Sequence, residues 1–228
     1  MKPPADRLYG RARGHALRPR QRKLLDAALP RLAFPPAAAA DPGSAFAPRP
    51  RALWLEIGFG GGEHALAQAE AHPDSGLIAA EVFENGICSL LSHLIPAPAD
   101  PATAALPGNL RLWAADARGL IRALPDACLD RMFLLFPDPW PKARHARRRF
   151  VHPAALAGIA RVLRPGGEWR IASDDPTYQD WVRATLGAQD WFAVETVAAR
   201  PPSWPPTRYE AKALAAGRTP LYWRLTRR

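Results

Sequence analysis

The 228-residue chain is poor in sulfur, with two cysteines, Cys88 and Cys128, and two methionines. Two cysteines make no disulfide framework, and each sits in an apolar stretch, so both are expected as reduced core thiols. The six histidines show no ligand spacing, so no metal site is expected. No apolar run approaches the roughly 20 residues that a membrane span needs. The first residues are basic but lack the apolar h-region of a secretory signal. Acidic residues are scarce as well, 21 against 31 Lys and Arg, for a net charge of +10. These absences argue against a secreted disulfide scaffold, a zinc module and a membrane protein. They point to a cytoplasmic protein whose partner is a polyanion. No segment marks an obligate protein partner.

What is present is unevenly placed. Residues 1–31 carry nine Lys/Arg against Asp6 and Asp26, a local charge of +7. Residues 142–149 add +5, which leaves the remainder at −2. Two basic patches on a near-neutral domain form the electrostatic footprint of a nucleic-acid binder. Residues 1–50 divide into a basic arm expected to be mobile to Arg20, a short helix from Gln21 that stops at Pro30, and a Pro/Ala-rich lead-in. Residues 51–228 form the main domain. Strands are expected at 52–57, 77–82, 110–114, 131–136, 168–173, 192–197 and 221–226. Helices are expected at 63–72, 85–94, 117–124, 153–163 and 176–186. Short apolar strands alternating with helices of about ten residues predict an α/β fold with a seven-stranded, mainly parallel sheet and helices on both faces. The Pro-rich segments 96–107 and 201–206 read as loops, and residues 199–220, between the last two strands, are placed to arch over the sheet's carboxyl edge, where ligands bind in such folds.

The first strand ends in Leu-Glu-Ile-Gly-Phe-Gly-Gly-Gly-Glu, which sets Glu56 two residues before Gly58 and places Gly60 and Gly62 after it. Glycines there let the backbone turn sharply and come close to a ligand. A dinucleotide fingerprint starting at Gly58 would need glycine at position 63, where Glu63 stands. A diphosphate would also meet the charges of Glu56 and Glu63. A phosphate-free, positively charged ligand suits the loop better, and S-adenosylmethionine, with its sulfonium and α-amino group, is one. Glu81 ends the second strand, where a carboxylate can accept from both ribose hydroxyls. Asp116 follows the third strand, between small alanines, and is placed to meet an adenine amino group. The competing reading of these acids is that each caps the helix after it.

Residues 133–149 hold the densest information: Phe-Leu-Leu-Phe-Pro-Asp-Pro-Trp-Pro-Lys-Ala-Arg-His-Ala-Arg-Arg-Arg. A buried strand runs into a turn that presents Asp138 and Trp140. Pro137 and Pro139 restrict the backbone on either side of the acid. Trp140 either stacks on a base or packs as a lid over the sheet edge. Lys142, Arg144, Arg147, Arg148 and Arg149 then supply cations for phosphates, with His145 among them as a phosphate or backbone donor.

These motifs resemble those of the tRNA (guanine-N7-)-methyltransferase family, TrmB type, over residues 51–228. The matching segments are 55–60, 80–87, 136–149, 163–167, Ala172-Ser173-Asp174 with Tyr178, and Thr207-Arg208-Tyr209-Glu210. Tyr222 stands where an aspartate is common in the family. The resemblance implies a class I, Rossmann-like methyltransferase that uses S-adenosylmethionine to methylate guanine N7 in the tRNA variable loop, at position 46. It implies cofactor contacts from Glu56, Gly58, Gly60, Glu81, Asp116 and Asp138. Lys142, Asp174, Thr207, Arg208, Tyr209 and Glu210 would contact the guanine-bearing substrate, and Arg144, His145, Arg147, Arg148 and Arg149 would contact RNA. Guanine N7 has a free lone pair, so its methylation removes no proton and needs no strong base. Asp138 is expected either to stabilise the positive charge that moves onto the ring or to accept from guanine N1–H and N2–H₂. The alternatives are a class I methyltransferase acting on another RNA, an exocyclic amine or a protein amide, and a non-catalytic RNA-binding scaffold.

Overall fold

The computed structural model describes residues 12–228. The first eleven residues of the expected basic arm lie outside the described residues. The chain divides into a first unit ending at Leu124 and a second, Pro125–Arg228.

In the first unit, α1 (Pro19–Lys23) continues through a π-helical turn (Leu24–Ala28) into α2 (Leu29–Leu32). The helix therefore passes through Pro30 instead of stopping there. Proline has no N–H to give, and its ring crowds the carbonyl four residues back. The wider π turn just before it, closed by the Leu29 N–H on the Leu24 carbonyl, accommodates that defect. Leu24, Ala28 and Leu32 are all buried, one turn apart on a single stripe. Next come β1 (Ala52–Ile57), α3 (Glu63–Ala71), β2 (Ser75–Ala80), α4 (Glu84–Leu94), β3 (Leu110–Trp113) and α5 (Ala117–Ala123). The strands lie in the order β3-β2-β1 and are parallel, with Trp54 opposite Leu77 and Ile78 opposite Arg111. β1 and β2 are buried almost end to end, as continuous apolar runs in parallel sheets are. Phe34 donates its N–H to the Leu112 carbonyl at 2.8 Å and so covers the outer edge of β3.

Residues 12–20 belong to the arm expected to be mobile, and the structure corrects that expectation. The Glu84 N–H donates to the Ala12 carbonyl at 3.0 Å. The Gly14 N–H donates to Asn85 Oδ1 at 3.0 Å, and Asn85 Nδ2 donates to the His15 carbonyl at 3.1 Å. Arg20 adds a bond to the Ile95 carbonyl at 2.7 Å. The free Glu84 N–H and the Asn85 side chain at the start of α4, and the Ile95 carbonyl at its end, give this segment its partners.

The second unit holds β4 (Leu129–Leu135), a 3₁₀ turn (Ala143–Arg148), α6 (Pro153–Val162), β5 (Leu163–Ser173), α7 (Pro176–Gly187), β6 (Phe192–Val197), α8 (Arg208–Ala215) and β7 (Leu221–Arg227). Its strand order is β4-β5-β7-β6, with β4 and β5 parallel and β7 antiparallel to both neighbours. Trp169, Trp223, Tyr178, Phe133 and Phe192 are its largest fully buried side chains. Asp175 and Thr207 cap α7 and α8 through their side-chain oxygens, and His152 caps α6 through Nδ1.

All seven expected strands occur. Only β5 starts well before its expected residue, because Leu163 pairs with Leu129 ahead of the Pro165-Gly166-Gly167 turn. Cys88 and Cys128 are free, and burial pushes both thiols up to about 11. Among the described residues no helix is long and apolar enough to cross a membrane, and no cluster of three His, Cys, Asp or Glu could hold a metal.

Removing the fully buried Trp223 side chain (Trp223→Ala) is expected to cost about 3–5 kcal/mol in urea unfolding. Trp191→Ala, at a side chain that is 52% exposed, should stay within about 0.5 kcal/mol.

Candidate active site

In the first unit the site begins at the loop after β1. Gly58, Gly60 and Gly62 have φ of 71°, 58° and 88°, in the left-handed region that favours glycine. A Cβ at Gly58 would meet nothing within 4 Å, so glycine is needed there for conformation and leaves open space above the loop. Below the loop there is no such space. A Cβ at Gly86, in the first turns of α4, would run into the Gly60 carbonyl oxygen, and one at Gly62 would meet Leu90. Gly86 lies inside the 80–87 motif, and its role is to let α4 and the glycine loop approach.

The three acids at the strand ends do three different things. Glu81 Oε2 accepts from the Gly60 N–H at 2.8 Å, while its Oε1 accepts from Val82 and Phe83 N–H at 2.8 and 3.0 Å. One carboxylate thus ties the loop after β2 to the loop after β1. Glu56 is only 3% exposed, and its Oε2 lies 2.9 Å from His64 Nδ1. Gln68 Nε2 stands 3.3 Å from His64 Nε2. With Gln68 as donor there, His64 Nδ1 is the nitrogen that donates to Glu56. Glu56, expected to contact the cofactor, is enclosed here and paired with His64, two residues before the glycine loop. Asp116 is the one acid of the three that caps its helix. It accepts from the Arg118 N–H at 2.9 Å and pairs with the Arg118 guanidinium at 2.7 Å.

In the second unit β4 delivers the acid–aromatic turn. Phe136 and Trp140 have φ of 52° and 45°, left-handed values that cost a non-glycine residue about 1–3 kcal/mol each. They bracket Pro137-Asp138-Pro139. Asp138 is exposed and takes no hydrogen bond or ion pair from the described residues. Trp140 is half-buried, with the Arg148 guanidinium 4.7 Å from its ring centre and His145 edge-on at 5.9 Å. One face of the ring is therefore taken by a cation of its own chain.

The basic run divides in the same way. Lys142, Arg144 and Arg147 are exposed and have no partner among the described residues. Arg149, expected to contact RNA, is 6% exposed and donates to the Pro139 and Trp140 carbonyls at 3.1 and 3.0 Å. Composition cannot separate these arginines; the apolar Phe150-Val151 that follows is the signal that Arg149 enters the core. Partial burial, then the charges of Arg148, Arg144, Lys142 and Arg147, hold His145 below its usual 6.5.

The 199–220 segment contains α8 (Arg208–Ala215), which was not among the expected helices. Glu210, in its first turn, is 7% exposed and accepts from Tyr222 OH at 2.7 Å and Arg200 Nε at 3.0 Å. Glu210 Oε2 is buried with no hydrogen-bond partner among the described residues. Burial and the Glu210 carboxylate raise the Tyr222 hydroxyl, so it stays a donor. Tyr222 and Arg200 were not singled out from sequence as members of this group. Tyr209 is exposed between Arg208 and Lys212, at 5.0 and 5.8 Å. Asp174 is paired with Arg218 at 2.6 Å. Arg218 is 51% exposed.

Gly86→Ala is expected to displace the glycine loop, weakening cofactor binding by about tenfold or more in calorimetry while the fold survives with a lowered melting temperature. Because its pKa is lowered, His145 is neutral at pH 7 and gains its proton only as the pH falls through a value below 6.5. An imidazole ¹⁵N NMR titration with a midpoint above 6.5 would contradict this.

A family model described as a putative methyltransferase matches residues 50–222. The tRNA (guanine-N(7)-)-methyltransferase of Granulibacter bethesdensis is 66% identical over 229 residues, covering 100% of this chain and 98% of the relative. The enzyme of the same name from Rhodospirillum rubrum is 48% identical, covering 100% of this chain and 90% of its own length. Among solved structures, the 16S rRNA methyltransferase KamB superposes with a TM-score of 0.55 at 17% identity, covering 78% of this chain and 88% of the other. That likeness speaks to the fold, which is the Rossmann-like class I methyltransferase fold expected from the alternating strands and helices. Identity of this extent, together with the strained Pro-Asp-Pro turn and the glycine loop on α4, makes the chain a member of the tRNA (guanine-N7-)-methyltransferase family.

Proposed function

We propose that the chain transfers a methyl group from S-adenosylmethionine to N7 of a guanine in the variable loop of tRNA. The observation that carries this reading is Asp138, an exposed carboxylate without a partner in a turn held between two left-handed residues and followed directly by unpaired cations. A charge left unneutralised in a fixed direction suits a reaction in which positive charge arrives on a neutral base.

The residues of the first unit fit the cofactor. Gly58 opens onto free space, and the buried Glu56 beneath the loop favours a cationic ligand and disfavours a diphosphate. Glu81, already tied to the Gly60 N–H, would hold the ribose, and Asp116 the adenine side. When bound, S-adenosylmethionine supplies the methyl group, on a sulfonium, to the N7 lone pair. N7 carries no proton, so no residue of the chain has to act as a general base. Asp138 orients and stabilises. Glu210 Oε2, buried and unpaired, is an acceptor suited to the N–H edge that distinguishes guanine from adenine. Lys142, Arg144 and Arg147 take the phosphates, and Asp174, freed from Arg218, joins Thr207 to Glu210 on the substrate side.

The decisive experiment is methylation of unmodified tRNA with labelled cofactor, followed by nucleoside mass spectrometry and alkaline-cleavage mapping. The expected product is 7-methylguanosine in the variable loop; any other nucleoside, or another position, sinks the proposal. Asp138→Asn should lower kcat on the order of 10²-fold, with tRNA and cofactor affinity nearly unchanged.

A further inference from the structure

The Pro-Asp-Pro turn is short of backbone partners of its own. Two of its residues are prolines without N–H groups, and two are held at left-handed φ. On the amide side the Phe136 N–H is taken by the Ala172 carbonyl at 2.8 Å. On the carbonyl side both bonds come from Arg149: Nε to Pro139 at 3.1 Å and Nη2 to Trp140 at 3.0 Å. The same guanidinium lies 4.7 Å from the ring centre of Trp181, on α7. Trp181 is fixed in turn by its indole N–H on the Val151 carbonyl at 2.5 Å. Arg149 is 6% exposed, whereas Lys142, Arg144 and Arg147 in the same run are open to solvent. A planar fork matched to two carbonyls, with its face on an indole, is a task lysine cannot perform.

We infer that Arg149 is a positioning residue: seated on Trp181, it holds the strained turn so that Asp138 keeps one direction, and it does not bind RNA. This rests on the reading that Asp138 acts at the reacting centre. The division of labour within one basic run is then sharp. Arg144 and Arg147 meet phosphate, and Arg149 braces the acid.

The test compares Arg149→Lys, Arg147→Ala, Asp138→Asn and the double variant Asp138→Asn/Arg149→Lys in the full chain. It measures kcat, cofactor affinity and tRNA affinity over a salt series. Arg149→Lys should lower kcat tenfold or more while tRNA affinity and its salt dependence stay at wild type. Arg147→Ala should reduce the salt slope by about one unit. If Arg149 works through Asp138, the double variant will be no slower than Asp138→Asn alone. Arg149→Lys with unchanged kcat, a salt slope reduced as in Arg147→Ala, or losses that multiply in the double variant would each overturn the inference. A slow Asp138→Asn beside a fast Arg149→Lys removes the positioning role only. Wild-type turnover by Asp138→Asn removes the reading of Asp138 and the inference together. Should Arg149→Lys fail to fold in a thermal melt, Trp181→Phe carries the same test. It keeps the aromatic face but loses the bond to Val151, and is expected to lower kcat threefold or more at unchanged tRNA affinity; unchanged kcat would overturn the inference.

Discussion

A parallel strand leaves backbone groups without partners where it stops, and something must satisfy them without filling the space a ligand needs. In this chain charged side chains do it. After β1 and β2 a carboxylate collects N–H groups: Glu81 accepts from Gly60, Val82 and Phe83. After β4 a guanidinium collects carbonyls: Arg149 donates to Pro139 and Trp140. Charge-assisted bonds of this kind are about twice as strong as neutral ones, so one side chain can fix a whole turn. Glu81 fixes Gly60 in the glycine loop, and Arg149 fixes the carbonyls on either side of the last turn residue.

The anchors also sort the charged residues by task. Acids and arginines of the same motif look alike in composition, yet burial separates them. Glu56 is enclosed with His64, Asp116 caps α5, and Glu81 bridges two loops, while Asp138 stays unpaired. Arg148 lies on Trp140 and Arg149 on Trp181, while Arg147 faces solvent. An arginine that has spent its N–H groups on the fold has few left for a phosphate. Among the described residues Asp138, Lys142, Arg144, Arg147 and Glu210 Oε2 are left unpaired, and under the proposed function they are the groups that meet a base and its phosphates.

Much of this was legible in the sequence, because continuous apolar runs and helical stripes report burial directly. β1 and β6 have the very ends read from the chain, and most helices end within a residue of expectation. The failures have physical causes. Pro30 was read as a stop, but a π turn absorbs it. Helix α8 was not among the expected helices, since it is short, polar and flanked by Pro205-Pro206 and Gly217. Its Thr207-x-x-Glu210 pattern was a legible capping signal that went unused. The antiparallel placement of β7 between β5 and β6 has no trace in local periodicity. Nor does the pairing of Tyr222 with Glu210, twelve residues apart. Long-range partners are chosen by topology, and a residue's neighbours in sequence do not report them.

The left-handed residues Phe136 and Trp140 have a consequence for how this enzyme family can be stabilised. Glycine at either position would remove torsional strain, and a design guided by folded-state energy alone would favour it. It would also multiply the directions open to the acid between them and enlarge the ensemble of the unfolded chain. The bonds from Arg149 and the two prolines hold the turn in one shape, although the side chains at its ends fit that shape badly. The strain is the thermodynamic record of that restriction, and thermostability gained there would come out of turnover.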